Sequence, residues 1–303
     1  MKIFTLNKTY PLFIPQVCFI DKYNNTNAFV EMNPSIFITK EGEVSILLRC
    51  VNYIKFYDKK FTMFENISKT EYYLLSGNIE DKENLDIENF NVEKVNYDYL
   101  IPTYPTFWKG LEDIRFISHN KIIVTIPECN PTGDPIIFNA TINKSNISDF
   151  VMCYPNIVEK NWMPYNDTLN NEKVIYSLNP FCIKNIIEET LEKIELTENL
   201  FNLLEGYHGS TNGIIFKNNE DLRLFLIHVN RDKTYHRWLL FNVKTNEISV
   251  SEEFIFFKNT YIEFTCSLCE FKERIFISIG INDNKAFIIE TDINSITSCL
   301  FYN

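Results

Sequence analysis

The stretch Gly213-Ile214-Ile215-Phe216-Lys217-Asn218-Asn219-Glu220-Asp221-Leu222-Arg223-Leu224-Phe225-Leu226-Ile227-His228-Val229 decides the fold class. Two apolar segments, Gly213–Phe216 and Leu222–Val229, flank Lys217-Asn218-Asn219-Glu220, a polar run of turn-forming residues. Short β-branched and aromatic runs bounded by such clusters read as strands, and two of them around one turn read as a hairpin. The figure recurs. Ser35–Thr39 and Val44–Val51 flank Lys40-Glu41-Gly42-Glu43, and Ile114–Ser118 and Ile122–Ile126 flank His119-Asn120. Val174–Ser177 follows the Asn-rich turn Asn166–Asn171, and Ile275–Ile279 and Ala286–Glu290 flank Asn282-Asp283-Asn284. Many short strands with turn signals predict a sandwich, a barrel or a propeller.

A period narrows the choice. A polar motif precedes a hairpin five times, centred near Asn33, Glu112, Lys160, His208 and Phe264. The last three gaps are 48, 48 and 56 residues; the first, 79, carries a charged, irregular stretch around Asn78–Asn96 that reads as part of an insertion at 60–100. A repeat near 50 residues is the size of one propeller blade. The expectation is an all-β chain, a five-bladed β-propeller forming a single domain over residues 1–303. One segment conflicts: within Ile183–Glu205, the run from Asn185 to Lys193 has helical spacing, so helix competes with strand there.

Composition excludes several classes. The 26 Phe and 16 Tyr suit pleated, half-buried surfaces, although AT-rich codon usage also raises Asn, Ile, Lys and Phe together. A net charge of −11 without a basic stripe argues against a duplex nucleic-acid binder and suits a neutral substrate. The eight cysteines are scattered through apolar stretches and read as reduced, buried thiols; Cys266-x-x-Cys269 lacks the second pair that zinc requires. Met1–Pro15 shows no leader and no apolar run reaches transmembrane length, so a cytoplasmic chain without membrane insertion is expected. With eight glycines and neither a phosphate-cradling Gly-rich loop nor a nucleophile elbow, a nucleotide-binding α/β fold is excluded.

In a propeller the starts of the inner strands and their connecting loops surround a central pocket, so polar residues distant in sequence converge. The first repeat offers Asn33-Pro34-Ser35, Arg49 and Asn52-Tyr53; the second, Glu112-Asp113-Ile114-Arg115; the third, Glu159-Lys160-Asn161-Trp162; the fourth, His208, His228, Tyr235, His236 and Arg237. A carboxylic acid beside a sugar can protonate a leaving oxygen. Glu112 and Asp113 are neighbours on a strand, so only one is expected to face the pocket; the plain alternative is a turn in which both bond backbone N–H groups. Arg49 and Lys160 can bind an anion or simply form surface ion pairs. Trp162 can stack on a sugar ring or serve the core. Three histidines in one repeat suggest a binding site, but their spacings of 20 and 8 match no common zinc pattern, so no metal is expected.

Taken in order, these residues resemble the glycoside hydrolase family 130 enzymes, a group of inverting β-mannoside phosphorylases, hydrolases and mannosyltransferase-phosphorylases. Asn33-Pro34-Ser35 and Arg49 resemble the family's first-blade Asn-Pro and Arg; Gly110–Arg115 resembles its Gly-x-Glu-Asp-Pro-Arg motif, with Ile114 in place of Pro. Glu159-Lys160-Asn161 resembles its Asp-Lys-Asp element, His208–Ile214 its Gly-rich segment without the Pro-Pro, Leu226–Val229 its Tyr-His-Gly-Val, and Tyr235–Arg237 its later Tyr-Arg. The resemblance implies a five-bladed propeller, Asp113 as proton donor, and Asn33, Arg49, Glu112, Asn161, Trp162, His208 and Tyr235 as substrate contacts. It implies Lys160, His228 and Arg237 as phosphate contacts, and glycosyl transfer to or from inorganic phosphate with inversion and without a cofactor. The expected partner is a carbohydrate and not nucleic acid; the oligomeric state is left open. Two alternatives stand beside this: a hydrolase or glycan-building glycosyltransferase, with Glu159, Glu205 or Glu263 as second carboxylate, and a non-catalytic propeller that binds glycan or protein.

Overall fold

A computed structural model of the chain describes residues 2–14, 18–21, 23–55, 61–63, 68–79, 84–98, 102–153, 158–186 and 190–303. The chain is all-β, with its antiparallel sheets in a propeller arrangement. The first sheet runs Val30–Ile38, Glu43–Val51, Ser68–Asn78, Asn91–Lys94. The second runs Glu112–Ser118, Lys121–Thr125, Ile137–Asn143, Asn146–Met152, and the third Met163–Asn166, Glu172–Leu178, Phe181–Asn185, Leu191–Ile194. The fourth is built on Asn219–Asn230 and Thr234–Asn242, with His208–Gly209 and Ile214–Phe216 on its inner side and Ile248–Ser251 outside. Glu263–Phe271, Arg274–Ile281 and Lys285–Asp292 form the fifth, closed by Lys8–Leu12 from the start of the chain.

The blades number four and not the five read from the sequence; the fourth and fifth sheets are both completed from the chain ends, Lys2–Ile3 pairing with Phe254–Ile255, Phe301–Tyr302 with Ile248–Ser251 and Lys8–Leu12 with Lys285–Asp292. The packing runs through all of the sheets. Apolar clusters join the fifth sheet to the first around Ile36, Ile46, Phe276 and Ile288, and the first to the second around Leu47, Tyr72, Phe116 and Val124. Others join the third to the fourth and the fourth to the fifth, and a smaller one around Trp162 joins the second to the third. Successive residues of one strand serve opposite interfaces: Leu224 and Leu226 pack toward the fifth sheet, Phe225 and Ile227 toward the third. This is the two-residue repeat of a strand buried on both faces, and it explains why Leu224–Ile227 is an unbroken apolar run.

The competition between helix and strand at Asn185–Lys193 goes to strand in the described residues. Strands occupy Phe181–Asn185 and Leu191–Ile194, pairing Phe181 with Ile194 and Lys184 with Leu191; residues 187–189 lie outside the described residues. Ladder pairing outweighs the helical spacing. The helix comes later, at Glu198–Leu204, where the Thr197 hydroxyl caps it by accepting from the Leu200 N–H. Much of the expected insertion is sheet: Ser68–Asn78 and Asn91–Lys94 are strands of the first sheet, and a separate hairpin pairs Tyr53–Lys55 with Phe61–Met63. All eight cysteines are free, and all but Cys18 are buried.

Candidate active site

The site lies where inner strands begin and second strands end. Two inner strands depart from regular geometry there. The first sheet's register shifts between Met32 and Ser35, and the second's between Glu112 and Arg115. Asn33 and Asp113 sit in these bulges with φ of 41° and 49°, and Asn161, just before the third inner strand, has φ of 62°. Such left-handed backbone costs a non-glycine residue about 1–3 kcal/mol unless its surroundings hold it, and it gathers at functional sites. Gly280 makes room for one of them: a Cβ there would stand 2.2 Å from Asn33 Oδ1.

Of the two adjacent carboxylates, Glu112 lines the site's cleft and Asp113 does not. A bulge re-aims a side chain, and both carboxylates reach the same guanidinium. Arg49 donates through Nη2 to Glu112 Oε1 and through Nη1 to Asp113 Oδ1 at 3.2 Å. Asn33 Nδ2 donates to that same Oδ1 at 3.1 Å. Asp113 Oδ2 has no partner among the described residues. The Arg49 side chain is 6% exposed, against 21% for Glu112 and 24% for Asp113, so a buried cation anchors two carboxylates that reach solvent. Burial pushes the Glu112 carboxyl above its ordinary pKa; Arg49 pulls it down and Asp113 pushes it up.

Arg49, Glu112, Asn33 and Lys160 line a cleft of about 510 Å³. Tyr53, offered by the first repeat's cluster, also lines it, and three further lining residues had been given no role by the sequence reading: Trp108, Asp134 and Asp283. Tyr53 follows the strand that carries Arg49, and its ring meets Trp108 edge-on at 5.7 Å. Asp283 belongs to a turn read only as a hairpin signal, and Asp134 to the Gly-Asp-Pro loop before the third strand of the second sheet. No residue-type pattern distinguishes these from ordinary turn residues.

The histidines form a second group. His208 and His228 pair across the fourth sheet, with ring centroids 5.9 Å apart. Ser210 Oγ and His228 Nδ1 share a hydrogen bond of 2.6 Å. Burial, reinforced by His236, His208, Arg115 and Lys160, holds the His228 imidazole well below its usual pKa, so it is neutral at neutral pH. His208 is lowered by burial and then by Lys160. Among the described residues no cluster of His, Cys, Asp or Glu has metal-binding geometry.

Other expected contacts lie elsewhere. Trp162 is fully buried: its Nε1 donates to Glu159 Oε2 at 2.9 Å, and it offers no face to a ligand. The core role prevails because its N–H needs a partner and Glu159 supplies one. Arg237 donates to the Ser251 carbonyl at 2.6 Å and stands 3.9 Å from Glu253, while the Tyr235 hydroxyl donates to Asp232 at 2.9 Å. Asn161 is half-buried, with its carbonyl against Gly209. The second-carboxylate candidates are likewise absent from the cleft lining. Glu159 and Glu263 are buried in closed hydrogen-bond sets, and Glu205 is the exposed C-cap of the helix.

A propeller arrangement with acids and a buried arginine at one cleft defines the class of fold to compare. No protein-family model matches the chain, and no curated protein matches it by sequence. Solved structures do. One comes from the GH130 family of mannoside phosphorylases, which contains glycoside hydrolases that target β-1,2 mannosidic linkages in Candida mannan; it is 10% identical and covers 97% of this chain and 96% of its own, with a TM-score of 0.57. A β-1,2-mannobiose phosphorylase from Listeria innocua, complexed with β-1,2-mannobiose, is 12% identical over 95% and 98% of the two chains, with a TM-score of 0.55. A mannose phosphorylase from Leishmania mexicana, complexed with phosphate ion, is 11% identical over 99% and 92%, with a TM-score of 0.57. The chain is thus a distant match to the glycoside hydrolase family 130 type over nearly its whole length, and at these identities the likeness is one of fold.

Proposed function

We propose that the chain is an enzyme acting on glycosidic bonds, with Asp113 as the proton donor. One observation carries the reading: Arg49 and Asn33 fix Asp113 through Oδ1 alone, leave Oδ2 without a partner among the described residues, and themselves line, with Glu112, a cleft large enough for a sugar. In the step, the Asp113 carboxyl gives its proton to the leaving oxygen, directly or through a sugar hydroxyl. The anomeric C–O bond breaks, its electron pair leaves with that oxygen, and the acceptor oxygen bonds from the opposite face, inverting the centre. Trp108 and Tyr53 supply the aromatic faces that Trp162 does not, since such faces pair with the C–H side of a sugar ring. The glycosyl unit is mannosyl by analogy with the structural neighbours.

Phosphate as acceptor is supported by Lys160 on the cleft and by the phosphate-bound neighbour. The other expected phosphate contacts add nothing to it, because His228 is neutral and Arg237 is committed to Ser251 and Glu253. A second reading, with water as acceptor, is favoured by Asp134 and Asp283: with Glu112 they give the lining three acids against Arg49 and Lys160. An inverting hydrolase needs a second carboxylate to activate water.

Incubation with β-1,2-mannobiose, with and without inorganic phosphate, separates the readings. Mannose plus α-mannose 1-phosphate, formed only with phosphate, supports phosphorolysis. Mannose alone, formed either way, supports hydrolysis. No consumption of this or any other β-mannoside would remove the proposal.

A further inference from the structure

We infer that Arg115, together with Tyr72, is a positioning residue that holds the left-handed backbone of Asp113 in place; this rests on the proposed role of Asp113 as proton donor. Asp113 and Ile114 occupy the bulge between the register pairs Glu112–Thr125 and Arg115–Ile123, and Asp113 has φ of 49°. The peptide joining the two is gripped from both ends. Arg115 Nη1 donates to the Asp113 carbonyl at 3.3 Å, and the Ile114 N–H donates to the Tyr72 hydroxyl at 3.4 Å. Each grip is anchored in a different sheet. Arg115 Nε donates to the Ser210 carbonyl beside the fourth sheet, its guanidinium lies 5.8 Å from the centre of the Phe264 ring, and Tyr72 belongs to the first sheet.

Both side chains are out of water, Arg115 at 1% exposure and Tyr72 at 0%, so neither touches substrate. They act on the carboxylate through its own main chain. Arg49 and Asn33 can share Oδ1 only while the bulge keeps Asp113 turned toward them. A buried arginine serving only the core would stabilise the fold without favouring Asp113 over other residues.

A double-mutant cycle separates these roles. Arg115→Lys keeps the charge but loses the fork; its kcat on a β-mannoside is expected to fall about 10–100-fold with KM within about twofold. In an Asp113→Asn background the same change is expected to cost less than about twofold, because the group it serves is already gone. Tyr72→Phe, a gentler change that folds if Arg115→Lys does not, is expected to lower kcat about threefold to tenfold with the same non-additivity. Unchanged kcat in either folded variant, or losses that multiply in the cycle, overturns the inference. A crystal structure of either variant gives a readout free of activity: Asp113 is expected to leave positive φ and Oδ1 to part from Arg49 and Asn33, whereas an unmoved Asp113 contradicts it. Full activity in Asp113→Asn alone would remove the proton-donor reading and leave the structural result to judge the backbone grip.

Discussion

Two carboxylates of this chain are set in opposite ways. Glu159 spends both oxygens: Oε1 accepts from the Tyr176 hydroxyl at 2.8 Å and lies 3.9 Å from Lys184 Nζ, while Oε2 accepts from Trp162 at 2.9 Å. Asp113 spends only Oδ1, on Arg49 and Asn33. Glu159 is 5% exposed as a side chain and Asp113 24%. Both sit just before or within the start of an inner strand, and both have a basic partner. What separates scaffold from site is whether the carboxylate retains a free oxygen with access to solvent, and that is a property of the backbone bulge rather than of residue type.

The comparison breaks most visibly in a swap of readouts. Asp113→Asn is expected to lower kcat about a thousandfold, within the range that positioned acid catalysis supplies, and to leave the denaturant midpoint nearly unchanged. Glu159→Ala is expected to do the reverse. It removes the carboxylate that accepts from Tyr176 and Trp162 and faces Lys184, and costs about 3 kcal/mol in urea unfolding, with kcat of the folded fraction preserved. Loss of activity in proportion to stability for both variants would erase the distinction.

The aromatic pair sharpens the same contrast. Trp108→Ala is expected to raise KM about tenfold, since a base- or sugar-facing ring contributes on the order of 1–2 kcal/mol. Trp162→Phe is expected to leave KM alone and to lower stability by about 1–2 kcal/mol, because Glu159 Oε2 loses its donor. Steady-state kinetics and thermal melts on the two variants decide the assignment.

The smallest effect concerns pH. Burial pushes Glu263 up, but the bonds from His236, Thr260 and the Phe256 N–H overcome it and hold its carboxyl below the ordinary range. Its stabilisation is therefore present above the unfolded pKa and lost as pH falls through the folded one. Glu112 is raised, chiefly by burial, so its ionised form weakens the fold at neutral pH, and this cost disappears as pH falls through the folded pKa toward the unfolded value. Glu263→Gln is expected to be less stable than the parent at pH 7 and Glu112→Gln no less stable, each by about 1 kcal/mol or less, with both differences shrinking in acid. Urea titrations across that pH range would show gaps of the same sign if scaffold and site were alike.

The sheets were legible because strands buried on both faces leave continuous runs such as Leu224–Ile227, bounded by Asn- and Asp-rich turns. The polar clusters at the starts of inner strands were legible for the same topological reason, and Asn33, Arg49, Glu112, Asp113 and Lys160 do converge. The failures trace to geometry that residue type does not encode. Strand alternation puts Glu112 and Asp113 on opposite faces; a left-handed residue in a bulge still brings both to one guanidinium. Trp108 and Trp162 both precede inner strands, and only packing shows that one lines the cleft and the other fills the core. Asp134 and Asp283 look like turn residues because they are turn residues, placed on the cleft by sheets far from them in sequence.

The most direct test of Asp113 compares two β-mannosides in the parent and in Asp113→Asn, one with a sugar leaving group and one with a dinitrophenyl group that departs without a proton. A proton donor predicts a loss of about a thousandfold with the sugar and less than about tenfold with dinitrophenolate. Equal losses with both would show that Asp113 does something other than protonate the leaving oxygen, and cleavage of neither substrate by the parent would contradict the account at its base.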